Sequence, residues 1–127
     1  MQAVGTEAYN GRVVGNGHCV AFVRQVAGAP HTSQWRRGDH VRSSPPPAGT
    51  AIATFDPDGT YGNHTDGRSH TAILLEVRSD GLFVRDQWVG RPVATRLIRF
   101  RGGQGDPVND GDAYYTIVGN GADPTPV

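Results

Sequence analysis

The stretch from Thr71 to Trp88 constrains the fold more than any other part of this chain. Thr71-Ala72-Ile73-Leu74-Leu75-Glu76-Val77 is a short apolar run, too brief for a core helix and rich in strand-forming side chains, and it reads as a buried strand. Ser79-Asp80-Gly81 follows, a turn with glycine available for the left-handed position. Leu82-Phe83-Val84-Arg85-Asp86-Gln87-Trp88 is the returning strand. A lone hairpin is marginal in water, so this one needs further strands and a covering layer. Gly49-Thr50-Ala51-Ile52-Ala53-Thr54-Phe55 reads as an earlier strand, Val93 to Phe100 as a later one after the break at Gly90 and Pro92, and Tyr114 to Val118 as the last.

One helix supplies the layer. From His18, the side chains of Val20, Ala21, Phe22, Val23 and Val26 form an apolar face, with Arg24 and Gln25 as the polar one. Gly28 and Pro30 stop it. Gly15-Asn16-Gly17 makes a tight turn before it, with Asn16 or Gly17 as the expected N-cap. The order predicts an α+β domain, with an N-terminal helix packed on an antiparallel sheet of about five strands.

The rest reads as connection. Residues 1–17 are small, polar and glycine-punctuated. Residues 29–49 contain Trp35 and Ser43-Ser44-Pro45-Pro46-Pro47, which can neither continue a helix nor sit in a central strand, so this stretch is expected as a surface connection. Residues 56–69 and 101–112 are turn-rich loops. The 127 residues fit a single domain spanning 1–127, with its core at about 10–118 and a tail from Gly119 expected to fray.

Composition excludes several classes. A single cysteine, Cys19, rules out an internal disulfide framework and a multi-cysteine zinc site. No run reaches the ~20 apolar residues of a membrane span, and Met1 to Asn10 lacks a basic start followed by an apolar stretch, so neither membrane insertion nor a secretory signal is expected. All 12 basic residues are arginines, interspersed with 12 acids to a net charge of zero, so binding to nucleic acid through bulk charge is not expected. Eighteen glycines and nine prolines without a period exclude repeat architectures.

Cys19 sits at the start of the helix, where unpaired backbone N–H groups and the helix dipole favour a thiolate. A thiol nucleophile also needs a base, and the base an orienting partner. His70 stands just before the buried strand, and Asp86 lies on the other arm of the hairpin. A turn centred on Asp80 gives them the same parity and hence the same face. They remain several residues apart along the strands, a gap that a bulge or strand curvature has to close. His18 adjoins the cysteine but points roughly 100° away on a helix, and His64 lies in a glycine-rich loop that positions a base less rigidly. His64, Asp66, His70 and Cys19 match no standard zinc spacing, and no metal ligand set is expected. Gln87 and Asp66 are the next candidates for orienting the base.

Gly17-His18-Cys19-Val20-Ala21-Phe22-Val23, Ser69-His70-Thr71-Ala72-Ile73-Leu74 and Arg85-Asp86-Gln87-Trp88 together resemble the papain-like amidase superfamily, in its CHAP and NlpC-type peptidoglycan peptidase branches. The strand at Gly49 to Phe55 and the compact size resemble the small amidase effectors that type VI secretion systems inject into rival bacteria. The resemblance, over about residues 10–118, implies a papain-like fold and a Cys19–His70–Asp86 cysteine amidase that cuts an amide bond in the peptidoglycan stem peptide or cross-link. It implies no metal or organic cofactor. It implies synthesis in the bacterial cytoplasm without a signal peptide, export through a component of the type VI apparatus, action in the target periplasm, and a cognate periplasmic immunity protein. A housekeeping or phage-type wall hydrolase, or a catalytically silent binding module, are the alternative readings.

For the oxyanion, the Cys19 backbone N–H is the first donor, and Asn16 is the nearest upstream side-chain amide. Trp35, Tyr61 and Trp88 could line a substrate groove, and Arg36, Arg37 and Arg68 could receive peptide carboxylates.

Overall fold

The computed structural model describes residues 1–119. Its helix, α1 (Cys19–Ala27), ends at Gly28 in a left-handed conformation whose N–H returns to the Arg24 carbonyl. The N-cap is His18, not Asn16 or Gly17, and no side chain caps the helix end. Asn16 Oδ1 instead accepts from the His18 N–H at 3.1 Å, forming the turn that feeds the helix.

Six strands build one antiparallel sheet: β1 (Trp35–His40), β2 (Ala51–Ala53), β3 (Thr71–Val77), β4 (Gly81–Trp88), β5 (Arg91–Arg99) and β6 (Tyr115–Gly119). Their order across the sheet is β1-β6-β2-β3-β4-β5. The extra strand is β1, inside the stretch expected as a surface connection. Trp-Arg-Arg-Gly-Asp-His has no apolar alternation because β1 lies at an edge and buries little besides Trp35. The triple proline follows it, past the strand's end. The expected strand at 49–55 shortens to three fully buried residues.

α1 packs on β3 and β4. Phe22 and Val23 join Trp35, Tyr61, Ile73, Val93 and Ile117 in the core on that side. Ile52, Ala72, Leu74, Leu82, Val84, Ile98 and Tyr114 form a second core on the opposite face. Neighbouring residues of β3 and β4 thus serve different layers, as strand alternation requires. The packed region reaches further back than residue 10: Ala3 is buried in the first core, and Gln2 bridges to Thr50. Arg85, buried on β4, donates to Asn10 Oδ1 at 2.9 Å and Thr6 Oγ1 at 2.8 Å, tying the leading segment down. At the other end Gly119, expected to fray, pairs with Trp35 in β6. The remainder of the expected tail, 120–127, lies outside the described residues.

The turn is not centred on Asp80: Val77 pairs with Leu82 and the Arg78 N–H donates to the Gly81 carbonyl, so the turn residues are Ser79 and Asp80, and that register alone would set His70 and Asp86 on opposite faces. A bulge in β3 restores the shared face and closes the gap. Ile73 pairs with Arg85 and Leu74 with Val84, but Glu76 pairs with Phe83, so Leu75 is bulged out. Continuing the Ile73–Arg85 register sets His70 opposite Trp88, two residues from Asp86, within reach of a diagonal contact.

Candidate active site

His70 Nε2 and Asp86 Oδ2 are 2.7 Å apart. Both side chains are buried, His70 with 6% of its surface exposed and Asp86 with none. The His70 backbone is held on both sides by Thr54: the His70 N–H donates to Thr54 Oγ1 at 3.0 Å, and the Thr54 N–H donates to the His70 carbonyl at 3.0 Å. Since Nε2 serves Asp86, Nδ1 is the ring nitrogen left for Cys19, whose charge helps raise the His70 pKa.

Asp86 carries more than the imidazole. Arg96 Nε donates to Oδ2 at 2.9 Å, and Arg91 Nη1 donates to Oδ1 at 3.0 Å and to the Asp86 carbonyl at 2.9 Å. A buried carboxylate is costly without such partners. Both guanidiniums also lie over the Trp88 ring, at 4.2 Å for Arg91 and 5.0 Å for Arg96. The sequence pattern did not single out either arginine. Their places one residue and six residues into β5, beside the hairpin arm that bears Asp86, are the signal that could have found them.

The site's ionisation follows from these contacts. Burial pushes the Cys19 thiol up, but the hydrogen bond and charge of His70, the Thr71 backbone and Tyr61 outweigh it, and the net shift is downward. Burial pushes His70 down, but hydrogen bonds and charges from Asp86 and Cys19 lift its pKa to about 9. Burial raises Asp86, while His70 and Arg96 bring it below the usual carboxylate range. The lowered thiol and the raised imidazole both shift the pair towards thiolate and imidazolium.

Gln87, the neighbour of Asp86, is fully buried and points the other way. Its Oε1 accepts from the Val14 N–H at 2.9 Å, and its Nε2 donates to the carbonyls of Val14 at 2.9 Å and His18 at 2.8 Å. It holds the turn that delivers Cys19, and makes no contact that would orient His70. Gly15 belongs to this turn, with φ +56°, and a Cβ there would come 2.9 Å from the Ala21 Cβ.

The other expected site residues divide. Tyr61 is buried with its hydroxyl 4.0 Å from Cys19 Sγ, and burial followed by the Cys19 charge pushes its pKa up, so it stays a neutral donor. Trp88 is 42% exposed, with its ring 6.4 Å from that of His70. Trp35 does not line a groove: it is fully buried against Tyr61, and its Nε1 donates to the Pro30 carbonyl at 3.0 Å. Asn16 lies on the rim of a hollow with His18, Arg24 and Asn63. His64 is engaged by Asp56 at 2.9 Å, and Asp66 by Arg68 at 2.9 Å, so neither orients His70. Arg36 donates to the Ser33 and Trp35 carbonyls, and Arg37 and Arg68 border a separate hollow with Phe55 and Tyr115.

A pocket of about 300 Å³ opens beside the His70–Asp86 pair, bordered by His70, Trp88, Arg96, His64, Ser69 and Asn109. Thr65 borders both this pocket and the hollow near Asn16, so the two flank one loop. Among the described residues, no group of three or more His, Cys, Asp or Glu side chains is placed to hold a metal ion. No helix among them is long and apolar enough to cross a membrane.

Known proteins share this arrangement of the chain. The solved structure of the type 6 secretion amidase effector 2 (Tae2) superposes with a TM-score of 0.79 at 27% identity, covering 94% of this chain and 95% of that one. The type VI secretion amidase effector 2 protein of Salmonella typhi is 37% identical over 92 residues, 68% of each chain. The domesticated amidase effector 2 of Ixodes scapularis is 42% identical over 105 residues, 78% of this chain and 69% of the relative. The family model described as domesticated amidase effector 2 matches residues 2–117, and the chain belongs to that family.

Proposed function

We propose that this protein is a cysteine amidase that hydrolyses an amide bond in the peptidoglycan stem peptide or its cross-link. The observation that carries the reading is the buried 2.7 Å His70–Asp86 contact beside a helix-start thiol, in a chain whose relatives are named amidase effectors.

In this mechanism the Cys19 thiolate attacks the amide carbonyl carbon. The oxyanion meets the Cys19 backbone N–H, a first-turn amide with no intrahelical acceptor, and the Tyr61 hydroxyl. His70 Nδ1 gives its proton to the departing amine, leaving a thioester on Sγ. Nδ1 then takes a proton from water, which attacks the thioester and frees Cys19. Asp86 holds the imidazole orientation through Nε2 at each step. Every proton moves between the thiol, the ring, water and the amine, so the chemistry calls for no cofactor.

The protein would be exported by a type VI apparatus and act in the periplasm of a target cell. An effector name on the Salmonella typhi relative favours this over a housekeeping or phage-type hydrolase. A producer with the same wall would need a periplasmic immunity protein that covers the groove at Cys19. The lowered thiol pKa favours an enzyme over a silent module, because an inert buried cysteine in apolar surroundings is shifted upward.

Mass analysis of muropeptides after digestion of purified sacculi tests the activity. The expected products gain one water at a peptide amide and keep their glycan chains. Cleaved glycan with intact stem peptides would contradict the reading. Expression tests the location: toxicity is expected when the chain is sent to the periplasm and absent when it stays in the cytoplasm, and equal toxicity in both would point to another target.

A further inference from the structure

Arg96 stands in two places at once. Its Nε bonds Asp86 Oδ2, the same oxygen that receives His70 Nε2. Its guanidinium also borders the 300 Å³ pocket, with 23% of the side chain exposed. A guanidinium has five N–H donors in a planar fork. Asp86 occupies Nε, which leaves the other donors of the fork for the pocket side. Trp88 lies against the guanidinium and restricts its orientation.

The charges leave room for an anion. Arg91, Arg96 and the His70 imidazolium all converge on the single carboxylate of Asp86. Whether Cys19 and His70 are both neutral or both ionised, one cation remains unmatched. The other acids near the pocket are committed elsewhere or lie outside its lining. Asp56 pairs with His64, and Asp106 packs against Gly67 without bordering the pocket.

The geometry points to Arg96 as a specificity residue that receives a substrate carboxylate near the scissile amide, in the pocket it shares with His70. This rests on the amidase reading above. Because Arg96 and His70 share one acceptor oxygen and border one pocket, an anion on the guanidinium lies on the imidazole side of the site, within a few residues of the carbonyl that Cys19 attacks. A peptide with a γ-linked acidic residue, or with a diamino diacid, carries free carboxylates within that span of its peptide bonds. A carboxamide at the same place loses the charge and puts an N–H where an acceptor is required.

The test uses a synthetic cross-linked stem peptide made in two forms, with free carboxylates or with carboxamides on the residues flanking the cross-link and the preceding amide. Calorimetric binding is measured to Cys19→Ala protein, with and without Arg96→Gln or Arg96→Lys, and cleavage kinetics are measured for the same Arg96 variants with Cys19 intact. The carboxylate form is expected to bind about 10- to 100-fold more tightly. Arg96→Gln should bring the two forms within about threefold, and Arg96→Lys should keep part of the preference. Equal binding of the two forms by protein with Arg96 intact overturns the inference, and so does an unchanged preference in Arg96→Gln. A variant that binds both forms equally well as before but cleaves both more slowly by the same factor assigns Arg96 to holding Asp86 alone, which also overturns it. Failure of the protein with Cys19 and Arg96 intact to cleave either form, with binding preference present, would instead count against the amidase reading.

Discussion

Asp86 is the residue on which the site's charges meet, and its substitutions separate two effects. Asp86→Asn keeps an acceptor oxygen for His70 but leaves Arg91 and Arg96 without their anion, beside an imidazolium they now repel. His70, lifted to about 9 in the native site, should therefore titrate at a lower pH in this variant. The sign follows for activity. The ion pair forms as the thiol loses its proton and is lost when His70 deprotonates, so the alkaline limb of kcat/KM should lie near pH 9 in the native protein and move downward in Asp86→Asn. Asp86→Ala removes the acceptor as well. Its activity should fall roughly 10- to 1000-fold, about 1.4 to 4 kcal/mol of transition-state stabilisation. Loss of the anion from two partly buried arginines should also cost about 3 kcal/mol of stability, roughly 10 °C in Tm. NMR titration of His70 beside rate and melting measurements checks each part, and full activity with an unmoved His70 pKa would remove Asp86 from the account. The Cys19, His70 and Asp86 candidates were legible from sequence because each sits at a position with a local signature: a helix start, a strand start and a hairpin arm. The two arginines were not, since an arginine on a strand has no local mark that separates a buried ion pair from a solvated surface.

At the scale of the element, β4 fixes both halves of the site. Asp86 faces His70 and Gln87 faces the Val14–His18 turn, because successive strand side chains point to opposite faces. One rigid strand thereby sets the position of the imidazole and of the helix that carries the thiol. Gln87→Ala should leave the Val14 N–H and the Val14 and His18 carbonyls short of partners, costing about 2 to 3 kcal/mol of stability. It should slow cleavage about 10- to 100-fold while the His70 pKa stays near that of the native protein, since Gln87 does not touch the ring. A shift of His70 in Gln87→Ala as large as that in Asp86→Asn would contradict this division of roles. The hairpin made Asp86 legible as a partner for His70, but the turn at Ser79-Asp80 alone sets the two on opposite faces, and the Leu75 bulge that brings them together was not written in the pattern. A bulge changes register by one residue without changing which residues are apolar, and Leu75 is as apolar as Leu74 before it. The missed strand β1 has the opposite cause: its sequence lacks apolar alternation because an edge strand needs little burial.

At the scale of the molecule, the site rests on the middle of the sheet and its openings lie in loops. β3 and β4 are flanked on both sides by other strands, whereas β1 and β5 are edges. Native-state hydrogen exchange should find the slowest amides at Leu74 and Val84, and faster exchange along the outer sides of Trp35–His40 and Arg91–Arg99, apart from the Arg37 and Val93 amides that donate to the Gly59 and Arg12 carbonyls. Exchange of Leu74 as rapid as that at the edges would mean that the sheet does not anchor the site. The helix, the hairpin and the α+β class were legible because each is carried by local periodicity and turn residues. The packing of Met1–Ala3 and the tie from Arg85 to Thr6 and Asn10 were not, because those contacts join residues more than 40 positions apart.

The central claim is that Cys19 is the nucleophile of an amide hydrolysis. Release of cleaved stem peptides from purified sacculi by Cys19→Ala protein, with its melting transition shown to match the native one, tests this most directly. Removing the thiol should abolish cleavage, since His70 and Asp86 have no nucleophile to serve without it. Hydrolysis by Cys19→Ala at a rate comparable with the native protein would contradict the account.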